Sequence, residues 1–234
     1  MAPASQIVLL ELAGTCFEHV TPEAVPILLK GSRTFDVPAG AAVFASPSSE
    51  TRIGMVLQGT ARSFLTAADG RQLTVRYARR GTLIGRYSDR SGDHAPLGVQ
   101  ALTDCSILEF DRDQFGTAAV TQLSVANSIN LELARRLEDV YATVGDAAFG
   151  SIRQRLVRHL LALASQGDVD SSFVAAVTQQ QLADAIGSSR EVVARELGRL
   201  RDDGLVRTSH REVELLNLDR LADGLSRWRA ESPY

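Results

Sequence analysis

Residues 178–206 read TQQQLADAIGSSREVVARELGRLRDDGLV, and this stretch decides the fold. Thr178 with Gln181 three residues later is a capping-box pair, in which each side chain serves the other's backbone N–H; a helix is expected to start there. Ser188 with Glu191 repeats the spacing and marks a second start. Leu182, Ile186, Val193, Leu197 and Leu200 supply the apolar faces. Gly187 stands between the helices, where a left-handed backbone is often required. Paired short helices around a tight turn form a helix-turn-helix. Its second helix enters the major groove and reads bases with its N-terminal residues.

Ser189, Arg190, Glu191 and Arg195 lie at that reading end. Arginine grips guanine O6 and N7 bidentately, and glutamate accepts from cytosine N4. Thr178, Ser188 and Arg199 complete the expected DNA-binding set, with Arg199 and Arg201 as phosphate contacts or plain surface charges. Plainer roles stand beside these: Glu191 as a helix cap and Arg195 as the partner of a nearby carboxylate. After Gly204, Leu205–Thr208 and Val213–Leu216 read as strands around Ser209-His210-Arg211. This is a wing, whose tip residues His210 and Arg211 reach a phosphate or sit in solvent.

Upstream, residues 20 to 115 read as short strands broken by glycine turns. Ile53–Leu57, Ala61–Leu65 and Leu73–Tyr77 are rich in apolar and β-branched residues. Pro38-Ala39-Gly40, Gln58-Gly59, Ala68-Asp69-Gly70 and Arg80-Gly81 punctuate them, and Asp69-Gly70 is a hairpin signal. The pattern implies a β-sandwich or barrel. Asp89 to Pro96 is polar and reads as a loop.

The period then changes. Ala119, Leu123, Ala126, Asn130, Leu133, Leu137, Val140 and Val144 recur at alternating steps of four and three, a heptad seam. No Pro or Gly interrupts Thr117–Val144, which predicts one helix of about 40 Å at 1.5 Å per residue. Leu123, Ala126, Asn130, Leu133, Leu137, Val140 and Val144 are the expected dimer interface. Asn130 has two readings: it pairs with its own copy and fixes register, or it meets a ligand. Gly145 and Gly150 bracket a candidate hinge, and Ser151–Ala164 gives another amphipathic helix with Ile152, Leu156, Leu160 and Leu163 on one face. Gln166–Ser172 reads as a polar loop.

Composition bounds the rest. The 44 % hydrophobic content suffices for packed cores. No apolar run approaches the ~20 residues of a membrane span, and Met1–Leu12 lacks the features of a signal peptide; the expected location is the cytoplasm. The net charge of −3 counts against a nonspecific nucleic-acid binder, so the DNA reading rests on where the arginines sit. Lys30 is the only lysine, so 24 of the 25 basic residues are arginines. Cys16 and Cys105 are too few for an iron–sulfur cluster, which takes about four cysteines. Cys105 reads as a small buried side chain, whereas Cys16 is left open, with thiol redox sensing one possibility. His19 and His94 are the candidate haem ligands, though lone histidines are weak ones. No nucleophile–base arrangement, metal-ligand spacing or phosphate-binding loop appears, so no catalytic residue, metal or cofactor is expected and the chain does not read as an enzyme.

Three segments together carry a family resemblance. SSREVVARELGRLRDDGLV resembles the recognition-helix pattern of the catabolite activator protein/FNR (Crp/Fnr) family of bacterial transcription regulators. LARRLEDVYATVGDAAFGSIRQRLVRHLLALA, residues 133–164, is similar to the family's dimer helix, hinge and first DNA-domain helix. The spacing of Gly40, Gly59, Gly70, Gly81 and Gly85 resembles the glycine skeleton of its cyclic-nucleotide-type β-roll.

The resemblance implies an α+β chain: residues 1–117 an N-terminal cyclic-nucleotide-binding-type β-roll, 118–145 a long dimerisation helix, and 146–234 a C-terminal winged helix-turn-helix. It implies a homodimer on a palindromic double-stranded operator, leaves RNA polymerase open as a further partner, and assigns Arg190, Glu191 and Arg195 to base reading. This chain departs from the family's effector site. Gly85-Arg86 stands where cyclic-nucleotide binders have Gly-Glu, and His94-Ala95-Pro96-Leu97 stands where they have an arginine and a small hydroxyl residue. Val140 and Tyr141 replace small hydroxyl residues. Losing the carboxylate and the arginine removes the charge-assisted contacts of such a site. The expectation is a regulator that does not bind cyclic AMP in the usual way. Arg86, Tyr87, Leu137, Val140 and Tyr141 then line a pocket for another, unknown small molecule, or the pocket is collapsed with Arg86 in a salt bridge. The alternatives are a cyclic-nucleotide-responsive regulator with a non-standard pocket, and a ligand-binding β-roll protein whose C-terminal domain serves protein interaction.

Overall fold

Apolar alternation between the glycine turns resolves into strands β1 (Arg33–Val37), β2 (Ala42–Phe44), β3 (Arg52–Gln58), β4 (Ala61–Thr66), β5 (Gln72–Ala78), β6 (Leu83–Arg86), β7 (Leu97–Ala101) and β8 (Cys105–Glu109). The computed structural model describes residues 12–44, 52–86, 97–164, 173–209 and 211–223. The strands form two four-stranded sheets, ordered β1-β8-β3-β6 and β2-β7-β4-β5. Val37, Val43, Phe44, Val56, Ala61, Ala78, Ile84, Val99, Ala101, Cys105 and Ile107 form one buried cluster across them. Cys105 is thus a core residue, as its sequence context implied. The hairpin turn at Asp69-Gly70 closes with the Gly70 N–H donating to the Ala67 carbonyl at 2.9 Å.

Gly85 shows why this skeleton needs glycine. Its φ is +81°, and a Cβ there would lie 2.2 Å from the Arg52 carbonyl oxygen, on the strand it pairs with. No side chain fits that approach.

Beside the sheets, α1 (Val25–Leu28) and α2 (Arg112–Thr121) cover a second apolar cluster with Phe17, Phe110 and Phe115 at its centre. The Phe17 and Phe110 rings meet edge-on at 5.7 Å. Asp111 caps α2, its Oδ1 accepting from the N–H groups of Asp113 and Gln114.

The long helix differs from the expected one. Gln122 adopts an extended backbone (φ −120°, ψ 104°) and separates α2 from α3 (Leu123–Phe149). Phe115 and Ala118 of α2 bury into the same cluster as Val125 of α3, and the bend lets both helices face it. At its other end α3 runs through Gly145, where no heavy atom lies within 4 Å of a built Cβ. A single glycine costs a helix about 1 kcal/mol relative to alanine, too little to end it. Of the two glycines bracketing the expected hinge, only Gly150 falls at the end of α3, its N–H closing the last turn onto the Asp146 carbonyl at 2.9 Å.

The remaining elements are α4 (Ile152–Ala164), β9 (Val174–Ala176), α5 (Gln179–Ile186), α6 (Arg190–Asp202), β10 (Val206–Thr208) and β11 (Glu212–Leu215). The three strands make a sheet ordered β10-β11-β9. β9 was not legible in the sequence, because three residues carry too little periodicity. The chain divides into two compact units, residues 1–66 with 75–140, and residues 67–74 with 141–234. No helix among the described residues is long and apolar enough to cross a membrane.

Candidate nucleic-acid interface and effector region

The capping box that opens α5 is present as read. The Gln181 N–H donates to Thr178 Oγ1 at 3.1 Å, and the Thr178 N–H donates to Gln181 Oε1 at 2.8 Å. Thr178 is thus engaged in holding its own helix. Gly187 ends α5 in the left-handed conformation, φ 63° and ψ 41°.

The second start shifts by one residue. Ser189, not Ser188, is the N-cap of α6, accepting from the Val192 N–H at 3.4 Å. The Ser188 N–H instead returns to the Ala183 carbonyl at 2.9 Å and completes the turn. Ser188 therefore still belongs to the C-terminal turn of α5, and α6 starts one residue later than expected.

Val193, Leu197 and Leu200 of α6 are buried, as are Leu182 and Ile186 of α5. This fixes the roll of α6 and leaves Arg190, Glu191, Arg195 and Arg199 exposed. Arg190 and Arg195 make no ion pair with a described residue and remain available to a polyanion. Glu191 is held below the ordinary carboxylate range, first by its own backbone N–H and then by the Ser189 hydroxyl. Glu191 thus stands as an acidic residue in the first turn of α6, whose cap is Ser189. Arg199 is tied to Glu196, Nη1 to Oε2 at 2.9 Å. At the wing, Arg207 faces Glu214 across β10 and β11 at 2.6 Å, and Arg211 is exposed. His210 lies outside the described residues.

Three side chains that sequence reasoning missed brace this unit. Glu196 is buried on the apolar side of α6, within 3.8 Å of Arg153 on α4. Arg153 also pairs with Asp203 at 2.7 Å. Arg155 of α4 donates to the Ile186 carbonyl at the end of α5, 3.0 Å away. The available signal was Glu196, a charge lying between Val193, Leu197 and Leu200 on an otherwise apolar stripe.

The expected dimer seam lies on the outer face of α3. Leu123, Leu133, Leu137, Val140 and Val144 keep between 39 and 76 % of their surface exposed, while Val125, Ser128 and Glu132 are buried on the opposite face. Asn130 is exposed and Ala126 half-buried.

Of the expected effector residues, three have described side chains. Leu137 and Val140 belong to the exposed seam, and Tyr141 beside them is 65 % exposed. The Arg86 backbone pairs with Arg52 in the sheet; its side chain, Tyr87 and His94 lie outside the described residues. His19 is exposed and sits 3.4 Å from Glu18.

The chemistry against the inner face of α3 comes from other residues. Arg76 Nη1 on β5 meets Glu132 Oε1 at 2.7 Å, and Arg76 Nε meets Asp139 Oδ2 at 3.0 Å. Arg136 donates to the carbonyls of Leu83 at 2.6 Å and Gly85 at 3.2 Å on β6, and its Nε lies 3.8 Å from Glu132. Burial, then the neighbouring Arg76, pulls the Arg136 guanidinium pKa below its ordinary value, and burial raises that of Asp139. Cys16 is close to the same charges. Burial foremost, then the Glu132 carboxylate, pushes its thiol to about 12, so it stays protonated and is a poor redox nucleophile.

A two-sheet roll, a long helix with an exposed apolar seam and a capped helix-turn-helix with a wing define the architecture of a DNA-binding regulator. Residues 34–121 match the cyclic nucleotide-binding domain family, and residues 154–223 match the Crp-like helix-turn-helix domain family. The chain is 25 % identical over 210 residues to a CRP-like cAMP-activated global transcriptional regulator of Mycobacterium tuberculosis, covering 88 % of this chain and 94 % of that protein. It is 26 % identical to the cAMP-activated global regulator Vfr of Pseudomonas aeruginosa, over 70 % of this chain and 79 % of Vfr. Its fold is that of the c-di-GMP responsive regulator CLP of Xanthomonas campestris, with a TM-score of 0.72, 23 % identity, and 84 % of this chain and all of CLP covered. The chain belongs to the Crp/Fnr family.

Proposed function

We propose that this protein is a homodimeric, sequence-specific transcription regulator that binds a palindromic operator. The observation that carries the reading is the N-terminal end of α6, where Arg190 and Arg195 project from a capped, braced helix without ion-pair partners among the described residues. Two such helices related by a two-fold axis demand half-sites about one helical turn apart. The exposed seam on α3 supplies the axis, because a heptad face of large apolar residues gains by meeting its copy. Contacts to RNA polymerase fit this reading without a residue to assign to them.

For the effector, the sequence favours a regulator that does not use cyclic AMP in the usual way. Arg86 stands in place of the ribose-binding carboxylate, and Tyr141 in place of a small hydroxyl residue. The relatives that are cAMP-activated favour the second reading, a cyclic-nucleotide response through a non-standard pocket.

Fluorescence anisotropy on the protein's own upstream DNA tests both. Specific binding is expected without cyclic AMP and unchanged by it. Arg190→Ala with Arg195→Ala is expected to weaken specific binding by about 30-fold or more, at about 1–3 kcal/mol for each bidentate contact. Unchanged specific binding in that double variant overturns the DNA reading and leaves the interaction-domain alternative. Binding that appears only with cyclic AMP overturns the effector reading.

A further inference from the structure

Between α3 and the roll, Arg76 and Arg136 face Glu132 and Asp139, two cationic and two anionic groups paired with one another. Side-chain exposure is 14 % for Arg76 and 4 % for Glu132. Charges that deep are tolerated only when paired, and removing one partner leaves a costly uncompensated ion. The pairs are also directional: Glu132 and Asp139 lie seven residues apart on one face of α3, and both reach the single guanidinium of β5. Arg136, between them on that face, holds the β6 backbone. The helix is thereby fastened to β5 and β6, one strand from each sheet of the roll unit, along about two turns.

We propose that Arg76, Glu132, Arg136 and Asp139 are a built-in strut that sets the α3–roll arrangement without an effector, the carboxylates of α3 occupying the guanidinium that an anionic ligand would need. The inference rests on the regulator reading above and deepens its effector part. A diffusible phosphate must displace carboxylates tethered to the helix, whose effective concentration is of millimolar order. A ligand shifts a conformational equilibrium only by its differential affinity for the two states. With Arg76 and Arg136 already satisfied, an anion such as cyclic AMP gains little from these two groups in either state. Arg76 and its partners are positioning residues: they act on the reading heads only through α3.

The test is the thermal melting of the full chain, without DNA, in chloride buffer with or without inorganic phosphate or cyclic AMP. The wild-type midpoint is expected to ignore both anions. Glu132→Gln with Asp139→Asn keeps shape and removes both negative charges; it is expected to melt lower, and phosphate or cyclic AMP is expected to raise its midpoint. Asp139→Asn alone keeps the Glu132 pair, covers the case in which the double variant fails to fold, and is expected to show a smaller anion rescue. A lower midpoint with no rescue in either variant overturns the proposal, since a merely structural cluster gives that result. A wild-type midpoint raised by cyclic AMP overturns it as well. Neither readout involves DNA, so loss of operator binding in the Arg190 and Arg195 variant is a separate failure.

Discussion

Leu137→Glu separates a paired α3 from a solitary one. The residue sits on the seam with 49 % of its surface exposed, and the five large seam side chains together leave the equivalent of about three exposed side chains per chain. At about 2 kcal/mol for each fully buried leucine or valine, sealing the seam yields about 6 kcal/mol per chain and about 12 per pair. Association costs ~4–15 kcal/mol, so the seam sustains a dimer with only a narrow surplus. In a parallel pair this position meets its own copy. Glutamate there forfeits about 1 kcal/mol of burial in each chain. It also sets two carboxylates within about 8 Å, a repulsion of about 2 kcal/mol at an effective dielectric constant near 20. The sum, about 4 kcal/mol, raises the dimer dissociation constant by about a thousandfold. Sedimentation velocity reads this directly: the wild type is expected as a dimer and Leu137→Glu as a monomer with an unchanged melting profile of the roll. Leu137→Lys is expected to fail alone for the same reason, and an equimolar mixture of the two variants is expected to pair again. A Leu137→Glu chain that still sediments as the wild-type dimer refutes the seam, and so does a mixture that stays monomeric while both chains fold.

Three further outcomes follow from individual contacts. Thr178→Ala removes one half of the α5 capping box and is expected to destabilise the 141–234 unit by about 1 kcal/mol in urea unfolding, with little effect on the roll unit. Glu196→Ala strips the carboxylate that Arg153 and Arg199 share; both arginines are partly exposed and rehydrate, so the expected loss is about 1–2 kcal/mol, with weaker operator binding because α6 loses its brace to α4. Glu109 is partly desolvated, which raises its pKa, but hydrogen bonds from Arg52 and Arg33 outweigh that and hold it below its ordinary 4.5. Its folded pKa is depressed, so its stabilising contribution is complete above about 4.5 and declines as the pH falls below it; Glu109→Gln is expected to flatten the acid limb of the melting curve, and an unchanged acid limb counts against the pairing.

The helix-turn-helix was legible because its signals are local. Thr178, Gln181 and Gly187 act within a few residues of themselves, and the structure returns each in the expected conformation. Ser188 misled for a related reason. Either of two consecutive serines can cap a helix, and the Ser188–Glu191 spacing favoured the first, whereas the Ser188 backbone is still bonded to Ala183 in the turn and α6 starts from Ser189. The same logic explains α3. Heptad spacing identified its outer face correctly, yet it was silent on the bend at Gln122, which is set by where Phe115 and Val125 meet the roll.

The effector region was the least legible part, because its chemistry is long-range. Arg76 lies 56 residues before Glu132, and nothing in the local pattern of β5 marks Arg76 as inward-facing. Comparison with a family's ligand-binding positions directs attention to Arg86 and Tyr141, which report only what a bound nucleotide would touch. The strut is instead formed by residues that supply both the cations and their counter-charges. On the proposed reading, a buried arginine between two helix carboxylates holds α3 in place where a bound ligand would otherwise do so. On this view Arg86 in place of a carboxylate and the filled charge set against β5 belong to a single change: once the helix is fastened from within, a ribose-binding carboxylate has nothing left to organise.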